Sequence, residues 1–257
     1  MIKLGLVGCG SVGKNICENM NKLLDDYVLY VYDRHLEKRN RMGEISNRIK
    51  VCDSIDEILN SDIDFLIESA SRSFLKETGA NFLKKGISII SLSNGVLVEE
   101  DVKRFLIEAA REGNSKIYLP GTPPGIDTVL AMHVCGVTSA KYKSLRSLKH
   151  PLAQKFGEGD YFEGNVRQAM QVFKTSLNTS ASLAEASLGY DKTEVEVSFH
   201  SYVEGYRLQT IVSSEIGDLT VTLEGSLDES SGKFTLLAAV SVIALLNKLN
   251  SRIVIGI

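Results

Sequence analysis

Apolar positions in the first 120 residues follow two alternating textures. Short hydrophobic runs at 2–7, 28–32, 65–68, 87–91 and 116–119 are separated by longer stretches, among them 12–24, 74–85 and 99–111, in which apolar residues recur at helical spacing. Runs of the first kind suit strands and stretches of the second suit crossover helices. Their alternation predicts an α/β domain on a doubly wound parallel sheet.

The texture then changes. All four prolines, Pro120, Pro123, Pro124 and Pro151, fall in one middle stretch, three of them within 119–125. Because proline interrupts both helix and sheet, a domain boundary is expected there, giving domains 1–120 and 121–232. Beyond it, 195–199, 208–213 and 219–223 alternate or run apolar with β-branched residues and short turns between them, as antiparallel strands do. Helical spacing covers 166–173 and 178–188, so the second domain reads as α+β with a mainly antiparallel sheet. A last helix is predicted over 233–250. It is apolar enough to need a hydrophobic partner, for which the first domain is the candidate. No internal repeat or low-complexity tract interrupts this plan.

Candidate chemistry begins where the first run ends. Gly8-Cys9-Gly10-Ser11-Val12-Gly13 joins a strand to a helix, the setting in which a GxGxxG string carries information. Gly8 suits the tight turn, Gly10 lets the backbone approach a pyrophosphate, and Gly13 permits close packing of helix on strand. The main-chain N–H groups from Ser11 and Val12 onward, at the positive end of the helix dipole, are the expected phosphate ligands. Asp33 closes the second run about twenty residues later, where a carboxylate accepts hydrogen bonds from the adenosine ribose hydroxyls. Strand, glycine turn and acid together predict a Rossmann domain that binds NAD. Arg34 follows directly, and its guanidinium suits a 2'-phosphate, so NADP is a cofactor candidate too. Ser69, Ala70 and Ser71 follow one sheet strand, and Ser93, Asn94 and Gly95 follow the next. Both clusters stand at carboxyl ends of strands, where open α/β sheets hold ligands, and both also read as ordinary strand-ending turns.

Composition narrows the partner. Net charge is −3 with no long basic block, so nucleic acid is not an expected partner and a small molecule is. The four cysteines show neither CxxC pairing nor metal spacing, and carboxylates and histidines never group at ligand spacing, so no metal site is expected. Scattered thiols point to a reducing compartment and to burial as small hydrophobes. Residues 1–7 are apolar but stop at glycines after one strand length, too short for a signal peptide or membrane span. The expected location is the cytoplasm.

Several further stretches carry a family resemblance that spans the chain. These are Ile67-Glu68-Ser69-Ala70-Ser71, Ser91-Leu92-Ser93-Asn94-Gly95-Val96-Leu97 and Leu119-Pro120-Gly121-Thr122-Pro123-Pro124-Gly125-Ile126-Asp127. Phe162-Glu163-Gly164, Gln168-Ala169, Leu177-Asn178, Glu215-Ile216-Gly217 and Ala238-Ala239-Val240-Ser241-Val242 extend them. Together they resemble the L-aspartate dehydrogenase family, two-domain oxidoreductases related to homoserine dehydrogenase and dihydrodipicolinate reductase. The resemblance implies NAD(P)-dependent oxidation of L-aspartate to iminoaspartate or oxaloacetate plus ammonia. It places Thr122 and Asn178 at the nicotinamide; as local structure alone they read as a turn residue and a helix N-cap.

One departure bears on the chemistry. Counting back from Glu215-Ile216-Gly217 puts Leu208 where the family carries its acid/base histidine, and Tyr206 at the accompanying asparagine. A leucine moves no proton, and loss of a positioned general base typically costs roughly 100- to 10,000-fold in rate. If Glu204 and Gly205 form a two-residue hairpin turn, Ser201 pairs with Leu208 and His200 falls on the opposite face. His150 is the better replacement, since Lys149-His150-Pro151 matches a basic stretch of the family near its substrate. His35 is expected to be solvated and His133 to lie in the core. An anionic amino or oxo acid needs a cation; Lys149 is favoured, with Arg146 and Arg207 expected at the surface. The catalytic candidates are therefore His150 and Lys149. Two alternatives stay open: action on another small amino or oxo acid, and a catalytically silent NAD-binding homologue. An apolar sheet face and the apolar terminal helix suggest a homodimer.

Overall fold

The computed structural model describes residues 1–24, 26–120, 122–173, 176–227 and 235–256. It divides into two compact units, Met1–Pro120 with Leu236–Arg252, and Gly121–Thr235 with Ile253–Ile257.

The first unit opens with β1 (Ile2–Val7), α1 (Ser11–Leu23), β2 (Tyr27–Tyr32), α2 (Leu36–Gly43), β3 (Ile49–Val51), α3 (Ile55–Asn60) and β4 (Phe65–Glu68). A broken helix follows: α4 (Arg72–Phe74), a π-helical turn (Leu75–Gly79) and α5 (Ala80–Lys84). Then come β5 (Ser88–Ser91), a 3-10 turn (Asn94–Val98), α6 (Glu100–Glu112) and β6 (Ile117–Tyr118). Among the described residues the strands form one parallel sheet in the order β3-β2-β1-β4-β5-β6. This is the doubly wound order, and its switch point lies between β1 and β4, where Val7 pairs with Glu68. The central strands carry the buried apolar runs read from the sequence; Leu4, Leu6, Leu66, Ile67, Ile89 and Ile90 are fully enclosed. β3 escaped that reading because only Ile49 of its residues is buried.

A terminal helix, α11 (Thr235–Asn250), belongs to this unit over most of its length. Ala239, Val242, Ile243 and Leu246, spaced as one helix face, join Leu4, Leu6, Ile16, Cys17, Met20 and Leu29 in a single core cluster. Burying each of the larger side chains contributes about 1.5–3 kcal/mol. The expected first residues of this helix, 233 and 234, lie outside the described residues.

The second unit contains α7 (Ile126–Val134), β7 (Val137–Ser147), α8 (Ala153–Phe156), β8 (Gly159–Asn165), α9 (Val166–Val172), α10 (Asn178–Ala186), β9 (Glu194–His200), β10 (Tyr206–Ser214) and β11 (Gly217–Gly225). Its sheet runs β11-β10-β7-β9-β8. All pairs are antiparallel except β7 with β9. The hairpin considered between β9 and β10 does not form, because β7 lies between them: Leu208 pairs with Ser144 on one side and Leu223 on the other. His200 pairs with Ser147, an odd number of residues beyond Ser144, so it still faces away from Leu208.

Strand β7 went unread because its inward face, Ala140, Tyr142, Ser144 and Arg146, is largely polar. Helices α7, α9 and α10 pack against this sheet. Its other face carries ion pairs, Lys141 with Glu194 at 3.2 Å and Lys143 with Glu196 at 2.8 Å. Helices thus pack on one face of β7, β8, β9 and β10, whereas no residue of β11 is buried; one face of α11 is packed within the first unit. Leu236 and Leu249 of α11 remain exposed. No described helix is long and apolar enough to cross a membrane.

Candidate functional site

The glycine turn is dictated by close approaches. Gly8 has φ 98°, and a Cβ there would lie 2.6 Å from the main chain of Ser69 and Ala70; a Cβ on Gly13 would lie 2.1 Å from the Gly8 carbonyl oxygen. Gly10 is different: a Cβ there meets nothing within 4 Å. Nothing inside the protein demands glycine at that position, whereas a ligand approaching the backbone does. Gly10 also caps α1 without a side-chain hydrogen bond, and no acidic residue occupies the first turn. The helix start thus presents the amides of Ser11, Val12 and Gly13 to an anion. A group with the phosphates of NAD or NADP fits this turn.

Asp33 is 9% exposed and ties the end of β2 to the glycine turn. Its Oδ2 accepts from Cys9 N–H and its Oδ1 from His35 N–H, each at 2.8 Å. Each carboxylate oxygen keeps a second lone pair for a ribose hydroxyl. Gly8, Gly10, Asp33, Arg34, Ser69 and Ala70 line one cleft of about 610 Å³, which Tyr32, His35, Lys38 and Ser71 also border. Arg34 Nε donates to His35 Nε2 at 3.3 Å, so cationic groups and the Asp33 carboxylate share one rim. Phe74, Glu77 and Thr78 close the cleft from the broken helix; π turns of this kind recur at ligand sites.

Ser93 does not line the cleft. It is buried, with Oγ donating to Glu68 Oε1 at 2.9 Å and N–H donating to Glu68 Oε2 at 3.1 Å. Glu68 has no solvent exposure, and burial pushes its carboxyl up to about 7 against the pull of these hydrogen bonds. In the sequence Glu68 stands out only as part of a motif. The signal that could have marked it is an ionisable residue ending an otherwise apolar central strand.

In the second unit, Thr122 is half-buried ahead of the Pro123-Pro124-Gly125 turn that starts α7. Its neighbour Gly121 lies outside the described residues. Asn178 is the first residue of α10, and Leu177 is the cap, held at φ 64°. A branched residue in that region is strained, and strain of this kind concentrates at functional positions.

Charges near β7 are distributed differently from the expectation. Lys149 is exposed, whereas Arg146 is fully buried and His150 is 3% exposed. Arg146 Nε donates to Ser144 Oγ at 2.9 Å, and its Nη1 lies 3.4 Å from His150 Nε2. Leu152 N–H donates to His150 Nδ1 at 3.2 Å, so a neutral ring carries its proton on Nε2. Two donors thus converge. Burial pulls the Arg146 guanidinium down to about 10 and pushes the neighbouring Tyr142 hydroxyl up to about 12. Arg146 shares inward parity with Ala140, Tyr142 and Ser144, which is the sequence signal that would have placed it inside. Arg207 is a surface charge paired with Glu224 at 2.5 Å. His133 is exposed rather than in the core, His35 is exposed as expected, and His200 stacks on Tyr202 with centroids 4.9 Å apart. Leu208 is fully buried.

Residues 8–120 match the profile "Homoserine dehydrogenase, NAD binding domain", and residues 127–249 match "Aspartate dehydrogenase, C-terminal". An L-aspartate dehydrogenase of Methanococcus maripaludis is 30% identical over 269 residues, with all of both chains covered. The chain belongs to the L-aspartate dehydrogenase family. Another L-aspartate dehydrogenase, from Methanosarcina mazei, is 27% identical over 270 residues, again covering all of both chains. The crystal structure of aspartate dehydrogenase from Thermotoga maritima has the same fold, with a TM-score of 0.80 at 19% identity over all of both chains. GenD2 from gentamicin A biosynthesis, solved with NAD, scores 0.56 at 13% identity, covering 98% of this chain and 88% of its own. The first unit of this family member is thus its NAD-binding domain, and the protein is an NAD(P)-dependent oxidoreductase.

Proposed function

We propose that this protein catalyses NAD(P)-dependent oxidative deamination of L-aspartate, giving iminoaspartate and then oxaloacetate plus ammonia. The observation that carries the reading is the glycine turn, whose one sterically unconstrained glycine, Gly10, opens onto a cleft holding Asp33 and Arg34. Relatives of full length that are named L-aspartate dehydrogenases supply the substrate.

The nicotinamide group, when bound, supplies a hydride acceptor; the residues supply binding and orientation. Gly8, Gly10 and the amides of Ser11, Val12 and Gly13 hold the pyrophosphate, and Asp33 holds the adenosine ribose. Arg34 answers a 2'-phosphate, which admits NADP. Ser69 and Ala70 border the same cleft, while Ser93 acts through Glu68. Thr122 and Asn178 belong to the nicotinamide end. Lys149 is the exposed cation for substrate capture. His150 is the proton-transfer candidate, although with Nε2–H beside Arg146 the pair is better matched to a carboxylate oxygen than to removing a proton.

Leu208 favours a second reading, a cofactor-binding homologue without turnover or with another small amino or oxo acid as substrate. It is fully buried between Ser144 and Leu223, where it transfers no proton. Absorbance separates the readings. Aspartate with NAD or NADP, or oxaloacetate with ammonium and reduced cofactor, should change the band near roughly 340 nm. Cofactor binding without any such change, between about pH 6 and pH 10, favours the silent homologue. We place the protein in the cytoplasm, in keeping with its four free cysteines, and read it as a homodimer; sedimentation at a monomer's mass would remove the latter.

A further inference from the structure

The carboxylate of Glu68 lies between the two segments that follow the central strands. Oε1 accepts from Ala70 N–H and Ser71 N–H, each at 2.9 Å, and from Ser93 Oγ at 2.9 Å. Oε2 accepts from Ser93 N–H at 3.1 Å and Ser91 Oγ at 3.4 Å. One buried side chain therefore gathers donors from the loop after β4, from β5 and from the turn after β5. Ala70 and Ser71 border the cleft, so the clasp reaches the cofactor wall.

We propose that Glu68 is a positioning residue whose ionised carboxylate fixes the Ser69–Ala70–Ser71 loop and the Ser93 turn in the arrangement that binds cofactor, and whose protonation weakens its hold on the Ser93 turn. The inference rests on the reading of this cleft as the nicotinamide cofactor site. Protonation falls on Oε2, which faces fewer donors than Oε1. The Ser93 amide then meets an O–H on that oxygen and keeps only Ser91 Oγ, at 3.2 Å, as acceptor, while Ala70 N–H, Ser71 N–H and Ser93 Oγ keep Oε1.

The groups that act on Glu68 are hydroxyls and main-chain amides, those of Ser93, Ala70 and Ser71. From β1 it is flanked by Val7 and from β5 by Ser91. The guanidinium of Arg72, next along the loop, lies over Gly95, close enough that a Cβ there would be 2.4 Å from Nη2, and Glu99 acts on its charge. With burial moving the carboxyl to about 7, that weakening falls within the ordinary working range of pH.

The test is a fluorescence titration of NADH into wild type and Glu68→Gln between about pH 5.5 and pH 8.5, with steady-state constants alongside. Wild-type affinity should fall about tenfold as pH drops through 7, with the change in KM for cofactor and not in kcat. Glu68→Gln, whose amide meets the same donors at every pH, should bind weakly and without that slope. Direct repulsion between a carboxylate and the cofactor phosphates would give the opposite trend, tighter binding at low pH, and would overturn the proposal. So would an identical slope in both proteins. Absence of NADH binding by wild type at every pH would instead overturn the cofactor reading itself. Should Glu68→Gln fail to fold, hydrogen-exchange protection of residues 92–98 in wild type should drop below pH 7 relative to residues 2–7; unchanged protection contradicts the clasp.

Discussion

Replacing Gly10 with alanine separates what the fold needs from what the ligand needs. Gly10 sits at φ −76°, ψ −166°, backbone that alanine adopts freely, and the added methyl meets no protein atom within 4 Å. The fold should lose only the difference between glycine and alanine at a helix cap, about 0.5–1 kcal/mol. Gly8→Ala is the internal contrast. There the methyl lies 2.6 Å from the Ser69 and Ala70 main chain at φ 98°, so a left-handed penalty of about 1–2 kcal/mol adds to a clash that only backbone movement relieves. Thermal unfolding should therefore find Gly10→Ala close to wild type and Gly8→Ala clearly destabilised. NADH titration should find both weakened, Gly10→Ala by about 10- to 100-fold, or about 1.4–2.7 kcal/mol, because the methyl occupies the space a pyrophosphate needs. Wild-type affinity in a folded Gly10→Ala protein would refute the placement of the phosphates.

Other substitutions test other parts. Arg34→Ala should raise KM for NADP about tenfold or more and leave NAD nearly unchanged, measured by paired kinetics. Ile243→Ala should lower unfolding free energy by about 2–5 kcal/mol in urea melts, since Ile243 is 2% exposed and packs into the core of the first unit. Leu208→His should cost about 1–3 kcal/mol of stability by burying a polar ring and, if the remainder of the site is intact, raise turnover at least tenfold. The Glu68 carboxyl is raised in the folded chain, so between its ordinary value and about 7 the native state holds the extra proton. That contribution is complete at low pH and is lost as pH rises through 7, a change of order 3 kcal/mol. Wild type should therefore lose more stability than Glu68→Gln between about pH 5 and pH 8.

What could be read from the sequence was what hydrophobic burial writes into it. Strands β1 and β4, buried from both sides, show as apolar runs with the observed ends, and the glycine turn is visible because sterics leave few substitutes at Gly8 and Gly13. Strand β7 was lost for the opposite reason. Tyr142, Ser144 and Arg146 are buried polar residues, so the strand's alternation carries no hydrophobic contrast. Without β7, a direct β9–β10 hairpin is the arrangement the sequence leaves to consider. The same gap hid the candidate site, since only the parity of an assigned β7 separates Arg146, which is buried beside His150, from Lys149, which is exposed beyond the strand end. The full donor set of Glu68 was not legible because Ser91 and Ser93 reach it only through the pairing of β4 with β5, although Ala70 and Ser71 follow it directly.

The central claim is hydride transfer from aspartate to a nicotinamide held at the glycine turn. L-aspartate deuterated at its α-carbon, incubated with the protein and NAD or NADP, tests it most directly by mass spectrometry of the reduced cofactor. The account predicts that deuterium appears in the nicotinamide ring in step with oxaloacetate. Oxaloacetate formed without label in the cofactor, or no labelled cofactor under conditions where NADH binds, would contradict it.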